Sequence, residues 1–413
     1  MSVTIPVETS AAFNPFDLSA PHALWAELRR DQPVFRHEGT GYFIVTRHAD
    51  IKAVFDDWKT FSSENAQAPM RPMCDAGRKI MIDGGFTAYS GLSARVPPEH
   101  TRIRKIVQGA FGPRRFRAME PKIEQIVDAA LDRIAPQGRA DFFREVAYDV
   151  PAFVLFSLVG IPDSDVEKVK AWSVSRALLT WGELTDEEQL PHAHNMVEYW
   201  AYCRALVAAK RVTPGDDLPS DLLQLQADGA EISDDEIAGV MYSVLFAGHE
   251  TTTTLMANGV YTLLSNRASW EAICADPDLI PKATEEVLRY SPSIVAWRRR
   301  AKADAEIGGV AVPDGSNILL LMGSGNRDEA VFAHGEDFDL NRDNARNHLS
   351  FGYGIHFCLG FQLAKLEFGI MLRKLTARFP DLALTGDGKI DYLQNVSFRV
   401  PSKVEICWGE GSK

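Results

Sequence analysis

Apolar residues recur at helical spacing through most of this chain and follow strand-like patterns in only a few short places. Leu24, Trp25 and Leu28 fall on one side of a helix over residues 21–30. Gly41-Tyr42-Phe43-Ile44-Val45-Thr46 is β-rich and bounded by glycine and charge, which predicts a strand; residues 50–55 return to helix. From 62 to 96 the periodicity disappears, and Met70, Pro72, Met73, Gly77, Gly84, Gly85 and Gly91 predict a long irregular connection. Loops of that kind inside a compact domain are usually functional or disordered. Pro97-Pro98-Glu99 then opens a helix with proline in its first turns. The apolar run 151–162 is too short to span a bilayer and predicts a core helix. Residues 163–210 read as helix interrupted near Gly182 and Pro191.

The strongest helix start lies further on. Ser233-Asp234-Asp235-Glu236 has the form of a capping box, and Ile232 with Ile237 has the spacing of a hydrophobic staple. The apolar pattern continues to about Leu264. Its middle, Ala247-Gly248-His249-Glu250-Thr251-Thr252-Thr253-Thr254, is full of poor helix formers whose hydroxyls compete for nearby carbonyls. A defect at the centre of the longest helix points to function. Glu286 and Arg289 lie three apart on a later helix, a spacing that by itself gives a commonplace surface pair.

At 413 residues and 46% hydrophobic content the chain can bury a large core. No linker, repeat or low-complexity block divides it, so a single domain over 1–413 is expected. A net charge of -12 argues against nucleic acid as the main partner. Residues 1–14 lack a basic segment followed by an apolar run, so neither a secretory signal nor a membrane anchor is expected. Cys74, Cys203, Cys274, Cys358 and Cys407 are odd in number and scattered, which suits a reducing, cytoplasmic setting.

One cysteine has a context. Phe351-Gly352-Tyr353-Gly354-Ile355-His356-Phe357-Cys358-Leu359-Gly360 reads as a tight glycine turn, a cysteine, and the start of a helix through Gln362, Lys365 and Glu367. Unpaired N–H groups at a helix start favour a thiolate, which is a metal ligand or a nucleophile. A lone cysteine is more often simply buried. Neither CxxC nor HExxH accompanies this one, since Thr253 stands where a second zinc histidine would. A single thiolate suits haem iron.

These ten residues match every fixed position of the F-G-x-G-x-H-x-C-x-G loop, and the chain resembles the cytochrome P450 superfamily over nearly its whole length. The resemblance implies a mainly α, triangular fold with a small β region, and haem b with Cys358 as axial ligand. Ala247 to Thr251 is similar to the family's oxygen-binding motif. It implies a helix opened at Gly248, with Thr251 and Glu250 delivering protons to dioxygen. His100 and Arg104 share a helix face and match the family's H-x-x-x-R pair that holds a haem propionate. Arg299 matches its second propionate arginine, and His356, Phe351 and Gly360 complete the cofactor set; Arg298 and Arg300 are expected to be solvated. In the family Glu286 and Arg289 form a buried pair, with Arg342 as third member.

The pocket the resemblance implies is apolar: Phe86, Tyr89, Trp172, Leu178, Val244, Ala247, Ile294, Val295 and Phe398. For Trp172 a core stripe is the competing reading, and for Phe86 and Tyr89 an incidental place on a mobile loop. The expected reaction inserts one atom of O2 into a small, largely apolar substrate, by hydroxylation or by O-dealkylation of an aromatic or alkyl ether or phenol. Residues 270–300 resemble bacterial haem domains fused to flavin and iron–sulfur reductase modules. No such module follows Cys358, so a separate ferredoxin or flavin/iron–sulfur reductase is the expected electron donor, docking on Arg102, Lys105, Arg114, Arg115, Arg117 and Lys365. A peroxide-driven enzyme of the same fold and a non-enzymatic haem sensor are the rival readings; the intact Glu250-Thr251 pair argues against the first.

Overall fold

The computed structural model describes residues 11–86, 91–386 and 388–409. Helix α1 (His22–Asp31) precedes strands β1 (Val34–Arg36) and β2 (Phe43–Val45), and α2 (His48–Asp56) and β3 (Phe61–Ser62) follow. A helical series comes next: α3 (Asp75–Asp83), α4 (Glu99–Ala110) and α5 (Pro113–Ile134). Strand β4 (Arg139–Asp141) leads to α6 (Val150–Val159), α7 (Val166–Trp181), α8 (Asp186–Val212), α9 (Leu218–Ala227) and α10 (Asp234–Ser265). Helices α11 (Arg267–Ala275) and α12 (Ile280–Tyr290) lead to β5 (Trp297–Ala301), β6 (Ala305–Ile307), β7 (Val310–Val312) and β8 (Asn317–Leu320). The chain closes with α13 (Met322–Gly325), α14 (Phe361–Arg378), β9 (Ala383–Leu384) and β10 (Glu405–Cys407). The architecture is mainly α with a small β content, as the sequence implied.

The chain forms two compact units, each made of non-contiguous segments. The first takes the described residues up to Ala68, with Asn258–Cys358 and Gly386–Ser402. It carries a five-stranded sheet of order β1-β2-β8-β5-β3, antiparallel except where β2 runs parallel to β8 with Phe43 opposite Ile318. Val45, Ile51, Val54, Ala301, Ile318 and Leu320 are buried together on this sheet and α2. The second unit takes Pro69–Ala257, Leu359–Thr385 and the described residues from Lys403 on. It is helical, with a small sheet of order β4-β10-β9.

Local chemistry explains the second unit's helices. Ser233 Oγ accepts the Glu236 amide at 3.2 Å while the Glu236 carboxylate accepts the Ser233 amide at 2.9 Å, so the capping box is formed. Helix α6 is buried along almost its whole length and stops at Gly160, whose φ of 71° costs a glycine little. Among the described residues no helix is long and apolar enough to cross a membrane.

Three expectations are corrected. The stretch 62–96 is not irregular throughout, because α3 forms inside it. Cys74 Sγ accepts the Gly77 amide at 3.3 Å, and the Cys74 amide donates to Gln189 Oε1 of α8 at 2.8 Å. The only buried side of α3 is Gly77, so no apolar stripe announced it. Pro191 does not interrupt α8. A Thr185–Glu188 capping box starts that helix, and its buried face of Ala193, Met196, Tyr199, Trp200 and Cys203 offsets the one backbone bond proline removes. Finally, α10 is helical without a break through Gly248. Its threonines bond carbonyls one turn back, Thr251 to Ala247 at 2.6 Å, Thr252 to Gly248 at 3.1 Å and Thr254 to Glu250 at 2.9 Å, while the ladder continues.

Candidate active site

In the first unit the glycine loop is a closed turn. Gly352 and Gly354 both have φ of 69°, a conformation that side chains disfavour. At Gly354 a Cβ would also lie 2.8 Å from the carbonyl oxygen of Phe55, so the turn packs against the end of α2. A 3₁₀ turn covers Gly354–His356, and the Cys358 amide donates to the Phe351 carbonyl at 2.9 Å, closing the loop. Cys358 is partly exposed and in no disulfide among the described residues. The next helix along the chain, α14, begins at Phe361 behind Gly360. A Cβ on Gly360 would meet only Phe111, at an ordinary 3.9 Å, so protein packing does not demand glycine there.

The support behind the loop is ionic. Arg289 and Glu286 on α12 are 0% and 1% exposed and pair in a two-pronged contact of 2.6 and 2.7 Å. Arg342 Nε joins at 3.2 Å from Glu286 Oε1, the third member that the resemblance implied. Arg289 also donates to the carbonyls of Asn326, Gly335 and Asp337.

Arg299 on β5 is 1% exposed, with its guanidinium 4.7 Å over the Phe55 ring. One N–H reaches the Arg298 carbonyl at 2.8 Å, and Nε has no hydrogen-bond partner among the described residues. Burial alone pushes this group down to about 9. Among the described residues no carboxylate pairs with it. A buried cation in that state calls for an anion from outside the chain, which a haem propionate would supply. The residues present therefore fit the cofactor. Arg298 is not solvated as expected: it is buried, donates to the Ala68 carbonyl and is pushed down to about 10 by burial. Arg300 is exposed, near Glu64. In the same unit Ile294 bridges to Phe398, and Asn395 Oδ1 accepts the Ser397 and Phe398 amides at 2.7 and 2.8 Å. Val295 is buried and its amide donates to the Ser397 carbonyl.

In the second unit His100 is buried on α4 and Arg104, one turn on, is half-buried. Along α10 the positions with accessible surface around the motif are Ser243, Val244, Ala247, Gly248, Glu250 and Thr251, and Val244, Ala247, Gly248 and Thr251 among them fall on one stripe. A Cβ on Gly248 would lie 2.8 Å from Leu155 of α6, so glycine here is also a packing requirement. Glu250 Oε1 lies 3.2 Å from His249 Nε2.

The aromatic candidates divide. Trp172 of α7 stacks on Tyr199 of α8 at 5.6 Å and 20°, as a member of the layer joining those helices. Leu178 is half-buried, and Phe86 is edge-on to Trp200 and Tyr242. Tyr89 lies outside the described residues. Sequence reasoning passed over Arg176 of α7. Its guanidinium is buried over the rings of Tyr242 (4.2 Å) and Phe246 (5.0 Å) and donates to the Tyr242 carbonyl at 2.5 Å. The available signal was an arginine four residues after Trp172 on a largely apolar helix. His192 lies 3.0 Å from Ser175 Oγ through Nδ1. Two of the expected docking cations are engaged: Arg102 pairs with Glu236 at 2.6 Å, and Arg115 with Asp216 and Asp221. Lys105, Arg114 and Arg117 are exposed, and Lys365 is half-buried.

Comparison with known proteins follows the same lines. A family model described as Cytochrome P450 matches residues 275–408. Cytochrome P450 107B1 of Saccharopolyspora erythraea is 36% identical over 371 residues, covering 88% of each chain. A solved structure of cytochrome P450 CREJ in complex with (4-ethylphenyl) dihydrogen phosphate is 53% identical, with a TM-score of 0.94, covering 97% of this chain and 100% of that one. An intact type IV self-sufficient cytochrome P450 monooxygenase is 34% identical with a TM-score of 0.93; the match covers 97% of this chain and 53% of that one.

Proposed function

The chain belongs to the cytochrome P450 family and is a haem-dependent monooxygenase, and we propose that it acts as a single haem domain hydroxylating a small alkylphenyl substrate presented as its phosphate monoester. When bound, haem with its thiolate ligand activates dioxygen, so that R–H, O2, two electrons and two protons become R–OH and water. The chain's own residues hold the group and move the protons. Cys358 supplies the thiolate, and Arg299, His356, His100 and Arg104 hold the propionate oxygens. Thr251 commits its hydroxyl hydrogen to the Ala247 carbonyl, which leaves its oxygen lone pairs to accept a hydrogen bond and so position a proton donor. Glu250 is the donor that passes protons to that side of α10.

The observation that carries the substrate class is the 53% identical relative holding (4-ethylphenyl) dihydrogen phosphate. A compact ring with an alkyl tail suits the apolar candidates, and a phosphate needs a cation. Among the described residues Arg176 is the buried arginine of the unit that carries the Thr251 motif. Its planar fork matches phosphate oxygens. The test is a spectral binding titration with 4-ethylphenyl phosphate and with 4-ethylphenol. Wild-type protein is expected to prefer the phosphate, and Arg176→Leu to lose about 10–100-fold for the phosphate alone, the worth of a charge-assisted hydrogen bond. Equal affinities in the wild type, or an unaffected phosphate in the variant, would sink the assignment.

Electrons come from a separate ferredoxin or flavin/iron–sulfur reductase in the cytoplasm; five cysteines with no disulfide among the described residues suit that compartment. Arg114 and Arg117 are exposed, as is Lys105, and are proposed to face an acidic partner. Reversing Arg114 and Arg117 to Glu should slow haem reduction, most at low salt. A reduction rate indifferent to the reversals and to ionic strength would place docking elsewhere.

A further inference from the structure

Arg399 is a buried arginine directly after the pocket candidate Phe398. Burial pushes its guanidinium down, the Tyr392 phenol works against that, and the Arg327 cation adds to it; among the described residues no carboxylate contributes. An apolar side chain of similar volume would cost less in such a place, so filling space is not the reason for a cation. What arginine adds is a planar edge that carries two N–H groups at a fixed spacing. Here Nε donates to the Leu18 carbonyl at 3.0 Å, and a terminal nitrogen donates to the Ser19 carbonyl at 3.2 Å. The flat face lies 3.5 Å over the Tyr392 ring, which fixes the plane of that edge. The same N-terminal segment makes another bond nearby, from the Asn395 amide to the Phe16 carbonyl at 3.2 Å. Residues 16–19 therefore grip the turn 395–399 at both of its ends.

The main chain of this turn faces a different partner. The Arg399 amide donates to the Ser293 carbonyl at 3.0 Å and the Val295 amide to the Ser397 carbonyl at 2.8 Å, which sets Ile294 opposite Phe398 in a short antiparallel pair. Asn258 Nδ2 of α10 donates to the Arg399 carbonyl at 3.0 Å. Successive side chains of such a pair point to opposite faces. Arg399 thus holds the back of a segment whose front carries Phe398, and every group named here belongs to the first unit. We propose that Arg399 is a positioning residue for substrate selectivity, strapping residues 16–19 to the 395–399 turn and so fixing where the Phe398 ring stands against a bound ligand. This rests on the reading of Phe398 as pocket wall. Without the strap the pairing with Ile294 remains but the ring shifts, so a bulky ligand loses contact and a small one does not.

The test is spectral titration of the ferric holoenzyme with two iron-binding probes, imidazole and 4-phenylimidazole. Imidazole reports the haem alone, and the added phenyl group reports the wall. Phe398→Ala is expected to weaken 4-phenylimidazole relative to imidazole by about 3–10-fold, the worth of one aromatic contact. Arg399→Met keeps the stem, loses the edge and should move the same ratio in the same direction. In the double variant Arg399→Met should add nothing, because a residue that acts through its neighbour is not additive with it. A merely structural arginine would lower the unfolding midpoint without touching the probe ratio. Arg399→Lys, which keeps the charge but presents one ammonium in place of the edge, serves the same cycle if the Met variant fails to fold. An unmoved ratio in the Arg399 variants beside a moved one in Phe398→Ala overturns the strap and leaves the wall reading standing, as do additive losses in the double variant. An unmoved ratio in Phe398→Ala overturns both.

Discussion

Thr251→Ala is expected to keep substrate binding and electron uptake while lowering hydroxylated product by about 10²–10⁴-fold, the usual contribution of positioned acid–base groups. The missing electrons should appear as hydrogen peroxide. The reason lies in how α10 presents its four threonines. Thr252, Thr253 and Thr254 are 3%, 2% and 0% exposed, whereas Thr251 shares the accessible stripe with Val244, Ala247 and Gly248. Thr252 and Thr254 make the same kind of back-bond, so loss of a helix-internal hydroxyl is common to all such variants and only position 251 adds a chemical loss. Thr251→Ser keeps the hydroxyl and should recover most of the coupling, and Thr252→Ala should cost far less. The check is the ratio of NADH consumed to product and to peroxide. Full coupling in Thr251→Ala would make Thr251 only a helix residue.

The second large effect is on stability. Glu286→Ala removes the one carboxylate shared by Arg289 and Arg342 and leaves two buried guanidinium groups without it. Breaking a buried pair in this way costs about 3–5 kcal/mol. The damage should reach the glycine loop, because α12 is tied to the residues before it. Ser350 Oγ donates to the Leu288 carbonyl at 2.6 Å, and the Leu349 amide donates to Asn326 Oδ1 at 2.7 Å. Asn326 also offers its carbonyl to Arg289. A lowered urea midpoint and poor haem retention are expected together. An unfolding free energy within about 1 kcal/mol of wild type would show that hydrogen bonds to carbonyls suffice without the carboxylate.

Much of the fold was legible where chemistry is local. The Ser233–Glu236 box is a four-residue device, and it starts α10 where the sequence says. The positive φ of Gly352 and Gly354 is likewise written in the residue type, and the Glu286–Arg289–Arg342 cluster followed from the resemblance. What could not be read depends on distant partners. Helix α3 is held by Gln189 of α8, and Arg298 is buried because Ala68 offers a carbonyl. Arg102 and Arg115 looked like free surface cations until Glu236, Asp216 and Asp221 arrived from other helices. Arg176 was hidden for the same reason: the Tyr242 and Phe246 rings under its guanidinium come from α10. The threonine-rich centre of α10 misled in the other direction. Low propensity marked a defect there and the resemblance implied an opened helix, but burial on most sides holds the ladder closed.

The central claim is that Cys358 is the thiolate that binds haem iron, and the difference spectrum of the reduced protein with carbon monoxide tests it most directly. The account predicts a strongly red-shifted band in the wild type and its loss in Cys358→Ala, with the far-ultraviolet circular dichroism of the variant unchanged. The same red-shifted band persisting in Cys358→Ala would contradict it.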